Sequence, residues 1–154
     1  MAIFNNSCQV VEDVWIRYDR LQPIGRTDRI IAGIEDLTKY PEFFRRALFR
    51  LGIELEASAS IEEIVDWLPR LELVILNFDS FADGRAFSQA RVLRQRFSYQ
   101  GDIRAQGEVL CDQLAFMQLC GINQFDMNEV EGLGQALNSI SDIGETRQRQ
   151  RSAG

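Results

Sequence analysis

The stretch LELVILNFDSFADGRAFSQARVLRQRFSYQGDIRAQGEVLCDQLAFMQLCG, residues 71–121, decides the fold of this chain. Its first eight residues are nearly all apolar, which is typical of a strand that is covered on both faces in a parallel sheet. An Asp-Gly-Arg loop, a basic amphipathic helix, a strand over residues 103–107 and a helix near 109–120 follow it. The stretch therefore predicts successive strand-helix units.

The sequence on either side continues this alternation. Residues 29–34 and 53–57 predict two earlier strands, and residues 123–127 predict a later one that precedes a helix near 129–140. About five mostly parallel strands alternating with helices indicate an α/β fold in a single domain. Two architectures stay open: an open three-layer sheet, and half of a (β/α) barrel, whose exposed strand edges would favour a homodimer.

Composition divides the chain into three parts. Residues 1–27 show little periodicity and are expected to form an irregular segment packed on the domain, with Trp15 as a packing anchor. The α/β domain is predicted over residues 28–143. Residues 144–154, which contain one apolar side chain, are expected to form a mobile tail.

Two helices before the central stretch are predicted from the residues that mark their starts and ends. Pro41 suits a first helical position, and the apolar stripe that follows it predicts a helix ending at Gly52. Ser60 and Glu63 form a capping-box pattern for the next helix, which Pro69 is expected to stop.

Charge and composition exclude several classes of function. The net charge of -6 argues against a general binder of nucleic acid or of anionic membranes, because both are polyanions. The chain lacks a long apolar run and a secretory signal pattern, so a cytoplasmic protein is expected. It contains no histidine, which excludes mechanisms that need one within this chain. Three cysteines without a CxxC pair indicate free thiols, and no metal or other cofactor is expected.

Candidate binding residues cluster where the central strands end. In parallel α/β proteins these loops converge on the ligand site. They carry Asn77, Asp79, Asp83, Gly84 and Arg85 after one strand, and Gln106, Gly107 and Glu108 after the next. Arg85, with Arg104, could hold a small anion such as phosphate, sulfite or a carboxylate. Alternatively, Asp83 caps the helix and Arg85 pairs with a nearby carboxylate.

The helix after the loop has a basic face. An apolar stripe through Ala90 and Leu93 predicts the buried side. It turns Arg85, Ser88 and Arg91 away from the core and leaves Arg94 on the border. This face is either solvated or a docking surface for an acidic redox partner.

Arg104 and Gln113 need partners if they are buried. Arg104 lies on the polar side of an inner strand, so it is expected either to form a salt bridge with a local acid or to face a cavity. Gln113 falls within an apolar helical sector and should bond either to a loop backbone or to a ligand. The neighbouring Asp112 lies outside that sector, near the positive helix start.

Two runs carry a family resemblance: FADGRAFSQARVLRQRF, and DIRAQGEVLCDQLAFMQLCGINQF. They resemble the bacterial domain-of-unknown-function family 934 over about a third of the chain. The matching residues are Phe81, Ala82, Asp83, Gly84, Arg85, Ser88, Ala90, Leu93, Arg94, Arg104, Ala105, Gly107, Val109, Asp112, Gln113, Cys120, Gly121 and Phe125. Ile122 and Glu108 depart from the family pattern.

The resemblance implies a cellular context more than a reaction. Members are commonly encoded beside the sulfite reductase haemoprotein and are often labelled probable oxidoreductases. It therefore implies an accessory protein of sulfite reduction that binds this haemoprotein or its electron donor. The alternative is a small oxidoreductase or anion-binding enzyme that acts on sulfite, phosphate or a phosphate-bearing cofactor.

Overall fold

Eight strands form one curled, mixed sheet in the computed structural model, which describes residues 2–7, 9–79 and 84–127. The strands are β1 (Ala2–Asn5), β2 (Val10–Val11), β3 (Ile16–Arg17), β4 (Arg29–Gly33), β5 (Arg50–Leu55), β6 (Leu71–Phe78), β7 (Asp102–Gly107) and β8 (Gln124–Met127). Their order in the sheet is β2-β1-β8-β7-β6-β5-β4-β3. Strands β3 to β8 pair in parallel, and β1 and β2 add an antiparallel edge beside β8.

The predicted α/β fold is confirmed, and all five predicted strands are present as β4 to β8. The predicted number of strands was too low, because β1, β2 and β3 lie in the segment that was expected to be irregular. β1 pairs with β8 at the far end of the described chain, and periodicity within a four-residue strand cannot reveal such a partner. The predicted helix near 129–140 and the tail over 144–154 lie outside the described residues.

The helices are short. They comprise α1 (Ile34–Lys39), α2 (Pro41–Arg46), a 3-10 helix (Ile61–Arg70), α3 (Arg85–Arg91), which continues into a π-helical segment (Val92–Arg96), a 3-10 turn (Cys111–Gln113) and α4 (Leu114–Leu119). Within the described ranges, no helix has the length and apolar character needed to cross a membrane.

The helix predicted from Pro41 to Gly52 was too long. Its α-helical part ends at Arg46, and Ala47 is already extended, with φ of -64° and ψ of 141°. The Arg70 guanidinium binds the carbonyl oxygens of Phe44 and Ala47, which occupies acceptors at the end of this helix. The residues from Arg50 onward, including Gly52, form β5 instead and pair with β4 and β6.

The capping box at Ser60 is confirmed. The Ser60 N–H donates to Glu63 Oε2 at 3.0 Å, and the Ser60 side chain accepts from the Glu62 N–H at 3.3 Å. The element it starts is a 3-10 helix, whose period of three brings Ile61 and Ile64 together in the core. Pro69 lies inside this helix, which ends one residue later than predicted.

Consecutive parallel strands place their connections on one face of the sheet, as in half of a (β/α) barrel. The main core lies on that face and includes Val74, Leu76 and Ile103. On the opposite face, Trp15 packs against a small apolar cluster formed by Ile31, Leu73 and Ile75. The rest of that second face carries polar side chains, which lead to the candidate site.

Candidate functional site

Polar side chains from three neighbouring strands meet at the carboxyl ends of β5, β6 and β7. The Asn77 amide donates to Glu54 Oε1 at 3.1 Å, and the Gln106 amide donates to Asn77 Oδ1 at 2.8 Å and also to Glu54. Arg17, from β3, forms an ion pair with Glu54. These four residues form a polar quartet that satisfies many of its own hydrogen bonds.

An acidic cleft of about 860 Å³ opens beside the quartet. Its charged lining residues are Glu35, Asp36, Glu54, Glu56, Glu63, Asp79 and Arg85. Asn77, Asp79 and Arg85, which the strand-end rule grouped together, do line one cavity. Among the described residues that line the cleft, a small anion would face six carboxylates and one guanidinium, and this balance opposes the binding of sulfite or phosphate. In the described part of the chain, no group of three or more acids or cysteines is placed to hold a metal ion.

A second cavity, of about 670 Å³, adjoins the cleft and has a different character. It lies between the loop over residues 57–60, with the start of the 3-10 helix, and α3 with its π-helical segment. Its charged residues are Arg85, Arg96 and Glu62, and hydroxyl groups come from Ser58, Ser60 and Ser88. We call it the serine-arginine groove. The predicted residues Gly84, Arg85 and Ser88 all line it, whereas Asp83 lies outside the described residues.

Gln89 ties the two walls of the groove together. Its side chain is 5% exposed, and its Nε2 donates to the carbonyl oxygens of Glu56 at 2.9 Å and Ala59 at 2.8 Å. Sequence reasoning missed this residue. The signal was present, because Gln89 is a polar residue beside the buried stripe of Ala86 and Ala90, as Gln113 is within its own apolar sector.

Arg104 forms a salt bridge, as one of its two predicted alternatives stated, but its partner is Asp13 from the N-terminal segment and not a local acid. It is 3% exposed, its Nε donates to Gln124 Oε1 at 3.0 Å, and its Nη1 lies 3.4 Å from Asp13 Oδ1. Asp126 is close enough for Arg104 to lower its pKa, but burial has the larger effect and raises that pKa above its usual value. Arg104 therefore belongs to the second face of the sheet, and it does not line the acidic cleft or the serine-arginine groove.

Arg94 turns toward the protein instead of lying on an exposed basic face. Its guanidinium donates to the carbonyl oxygens of Tyr99 at 2.6 Å, Gly101 at 2.7 Å and Gly121 at 2.9 Å. Burial lowers the pKa of Arg94 and raises that of Tyr99. Gly121 has φ of +102°, and a Cβ there would collide with the Arg94 side chain. The arrangement therefore ties the end of α4 to the turn before β7.

The remaining predicted site residues lie around the end of β7 and the start of α4. Gly107 has φ of +95°, and a Cβ would lie 2.8 Å from the Phe78 carbonyl oxygen, so this position needs glycine for the chain to turn. Asp112 is exposed in the first turn of its 3-10 segment. Gln113 precedes α4 as its N-cap and is only half-buried, because the α-helix begins later than predicted. None of these three lines the acidic cleft or the serine-arginine groove.

An exposed patch lies where α3 and α4 meet. The Arg91 guanidinium carbon lies 5.3 Å from the centre of the Phe116 ring, and the rings of Phe87 and Phe116 are 4.9 Å apart between centroids. Phe116 remains 43% exposed and Leu119, one helical turn further, 39% exposed. We call these four residues the arginine-phenylalanine face.

Comparisons with known proteins place the chain in a family. The model of a family described as bacterial protein of unknown function (DUF934) matches residues 52–153. A search of curated proteins returns no significant match. The matched region begins within β5 and includes β6 to β8, the arginine-phenylalanine face and most of the residues that line the two cavities. Because the match spans well over half of the sequence, the chain belongs to the DUF934 family.

Proposed function

We propose that this protein is an accessory protein of assimilatory sulfite reduction and that it binds the sulfite reductase haemoprotein. The context comes from the family resemblance, which implies an association with that haemoprotein. The observation that carries the proposed mode of binding is the arginine-phenylalanine face, in which an exposed guanidinium stacks on a partly exposed aromatic ring.

The composition of this face is that of an interaction surface. Aromatic residues and arginine are enriched in the centres of protein interfaces, where they contribute a large share of the binding energy. Phe116 and Leu119 offer apolar area that water covers poorly, while Arg91 supplies a planar donor for a carboxylate of the partner. The face therefore combines an apolar anchor with a charge that can orient an acidic partner.

The charge of the whole protein sharpens this expectation. With a net charge of -6, the chain as a whole repels an acidic partner, so association depends on local positive groups. Arg94 contributes little to such a face, because three carbonyl oxygens hold its guanidinium. Arg91 is left as the charged group at the centre of the face.

The test is sedimentation velocity of the purified protein with the sulfite reductase haemoprotein at low and at moderate ionic strength. We expect a complex at low salt that weakens as salt screens the charge pair. Arg91→Glu and Phe116→Ala should each weaken it by roughly tenfold or more. Arg46→Glu is the matched control, because the Arg46 side chain is 85% exposed on α2 and lies outside the face.

Two results would count against the proposal. An absence of association at low salt would remove the haemoprotein as the direct partner. Equal weakening by Arg46→Glu and Arg91→Glu would show that binding follows net charge and does not use the arginine-phenylalanine face.

A further inference from the structure

A third cavity, of about 460 Å³, is an apolar groove between the loop before β4 and the end of α2 with the residues that follow it. Its apolar lining residues are Ile24, Phe43, Ala47, Leu48 and Phe49. Phe43 remains 47% exposed and Leu48 remains 69% exposed. Large apolar side chains that stay exposed around a concave surface indicate an interaction site. We call this cavity the phenylalanine-leucine groove.

The walls of the groove are held by hydrogen bonds to residues that do not line it. The Arg70 guanidinium donates to the carbonyl oxygens of Phe44, at 2.8 Å, and Ala47, which fixes the wall formed by the end of α2. On the other wall, the Gly25 N–H donates to Asp28 Oδ2 at 2.7 Å, which fixes the turn before β4. The groove is therefore pre-formed, and filling it costs little ordering of the chain.

The charges at the groove favour an acidic ligand. Its charged lining residues are Arg26, Arg46 and Glu42. The Glu42 carboxylate lies 3.6 Å from the guanidinium groups of both Arg45 and Arg46, so neighbouring arginines already offset its charge. The Arg26 side chain makes no hydrogen bond or ion pair with another described residue. Arg26 is therefore the group that a carboxylate of a ligand would meet, and its planar fork suits a carboxylate.

The exposure of the rim favours a protein segment over a small molecule. A small apolar molecule inside the groove would leave much of Leu48 in contact with water, whereas a helix laid across the groove covers both its floor and its rim. Apolar side chains spaced by one helical turn lie on the same side of such a helix. An acidic residue beside them can then reach Arg26.

We propose that the phenylalanine-leucine groove binds an acidic amphipathic helix of another protein. Apolar side chains of that helix pack on Phe43 and Leu48, and a carboxylate about one turn away pairs with Arg26. The groove shares no residue with the arginine-phenylalanine face and lies outside residues 52–153, which the family model matches. The inference therefore does not rest on the proposed function, and either can fail without the other.

The test starts from a random peptide library displayed on phage, with the full chain as the target. We expect the enriched peptides to combine large apolar residues with Asp or Glu about one helical turn away. Arg26→Glu and Leu48→Ser should each weaken the synthetic peptides by roughly tenfold or more in fluorescence polarisation. Leu48 is the better apolar position to change, because Phe43 also packs on Phe44 and its loss would affect stability.

Lys39→Glu is the matched control, because Lys39 is exposed on α1, does not line the groove and undergoes the same reversal of charge. In the unaltered protein, an added peptide should shift the NMR signals of the Gly25 amide and the Leu48 methyl groups. The proposal is overturned if no peptide is enriched, if the enriched peptides lack acidic residues, or if Arg26→Glu binds them as Lys39→Glu does. A dimer that Leu48→Ser dissociates would also overturn it, because a second copy of the chain would then occupy the groove.

Discussion

Arg91 and Arg94 lie three residues apart on one helix, yet their guanidinium groups occupy opposite environments. Arg91 is exposed and rests over the Phe116 ring. Arg94 is half-buried and donates to three backbone carbonyl oxygens. The π-helical segment that begins at Val92 lies between them, and the altered helical period there accompanies the change of direction. A basic helix in an acidic protein is therefore not one uniform docking surface.

The same contrast separates Arg104 from Arg85. Arg104 is buried on the second face of the sheet between Gln124 and Asp13, whereas Arg85 is exposed at the edge of two cavities. The family resemblance marks Arg85, Arg94 and Arg104 alike. The difference shows that one family-matched arginine can be buried within the fold while another is exposed at the edge of a cavity.

The largest effect should come from removing the inward-facing arginine. Arg94→Met would keep the aliphatic bulk and remove three hydrogen bonds from a charged donor, leaving the carbonyl oxygens of Tyr99, Gly101 and Gly121 with fewer partners. We expect the free energy of unfolding to fall by about 3 kcal/mol, measured by urea denaturation. The same change at the exposed Arg46 should cost less than about 0.5 kcal/mol. Equal losses at the two positions would remove the distinction between inward and outward arginines.

The central strands could be predicted because each is long and apolar enough to carry its own signal. β6 has eight residues and is buried on both faces, so its composition alone identifies it. β3 has two exposed residues that become a strand only by pairing with β4, and nothing local predicts that pairing. The end of α2 was mispredicted for a similar reason, since Arg70 and the partners of β5 act from distant parts of the sequence.

The candidate site was predictable to the extent that it follows from strand ends. That rule brought Asn77, Asp79 and Arg85 together, and they line one cleft. It did not find Arg17, because Arg17 reaches Glu54 from a strand that the sequence did not reveal. The acidic character of the cleft was also not foreseen, because Glu35 and Asp36 come from α1, a short helix that was not predicted.

A smaller effect on stability is expected from substituting Asp126, the acid whose pKa Arg104 lowers. Burial raises the pKa of Asp126, and the attraction of Arg104 only partly offsets this. The folded protein therefore holds the Asp126 proton more tightly than the unfolded chain does, so this residue's contribution to stability falls as the pH rises above the ordinary value of 3.8. We expect Asp126→Asn to raise the melting temperature at pH 7 and to give little or no gain near pH 3.

The exposed Asp112 provides the control for this change. Asp112→Asn makes the same chemical substitution on the surface and should not show a gain that grows with pH. If Asp126→Asn instead lowered the melting temperature at pH 7, attraction to Arg104 would outweigh burial. The second face of the sheet would then depend on an ion pair more strongly than its hydrogen bonds indicate.

The smallest effect on stability is expected from substituting Arg91. This substitution is the most direct test of the exposed environment of its side chain. The contact with Phe116 is exposed, and a cation-π contact of this kind contributes about 0.5 kcal/mol. A double-mutant cycle with Arg91→Met and Phe116→Leu should therefore give a coupling energy of about that size in urea denaturation. A coupling of about 2 kcal/mol or more would mean that Arg91 holds the fold as Arg94 does. Its side chain would then be less free to meet a partner, and the arginine-phenylalanine face would lose its main support as a docking surface.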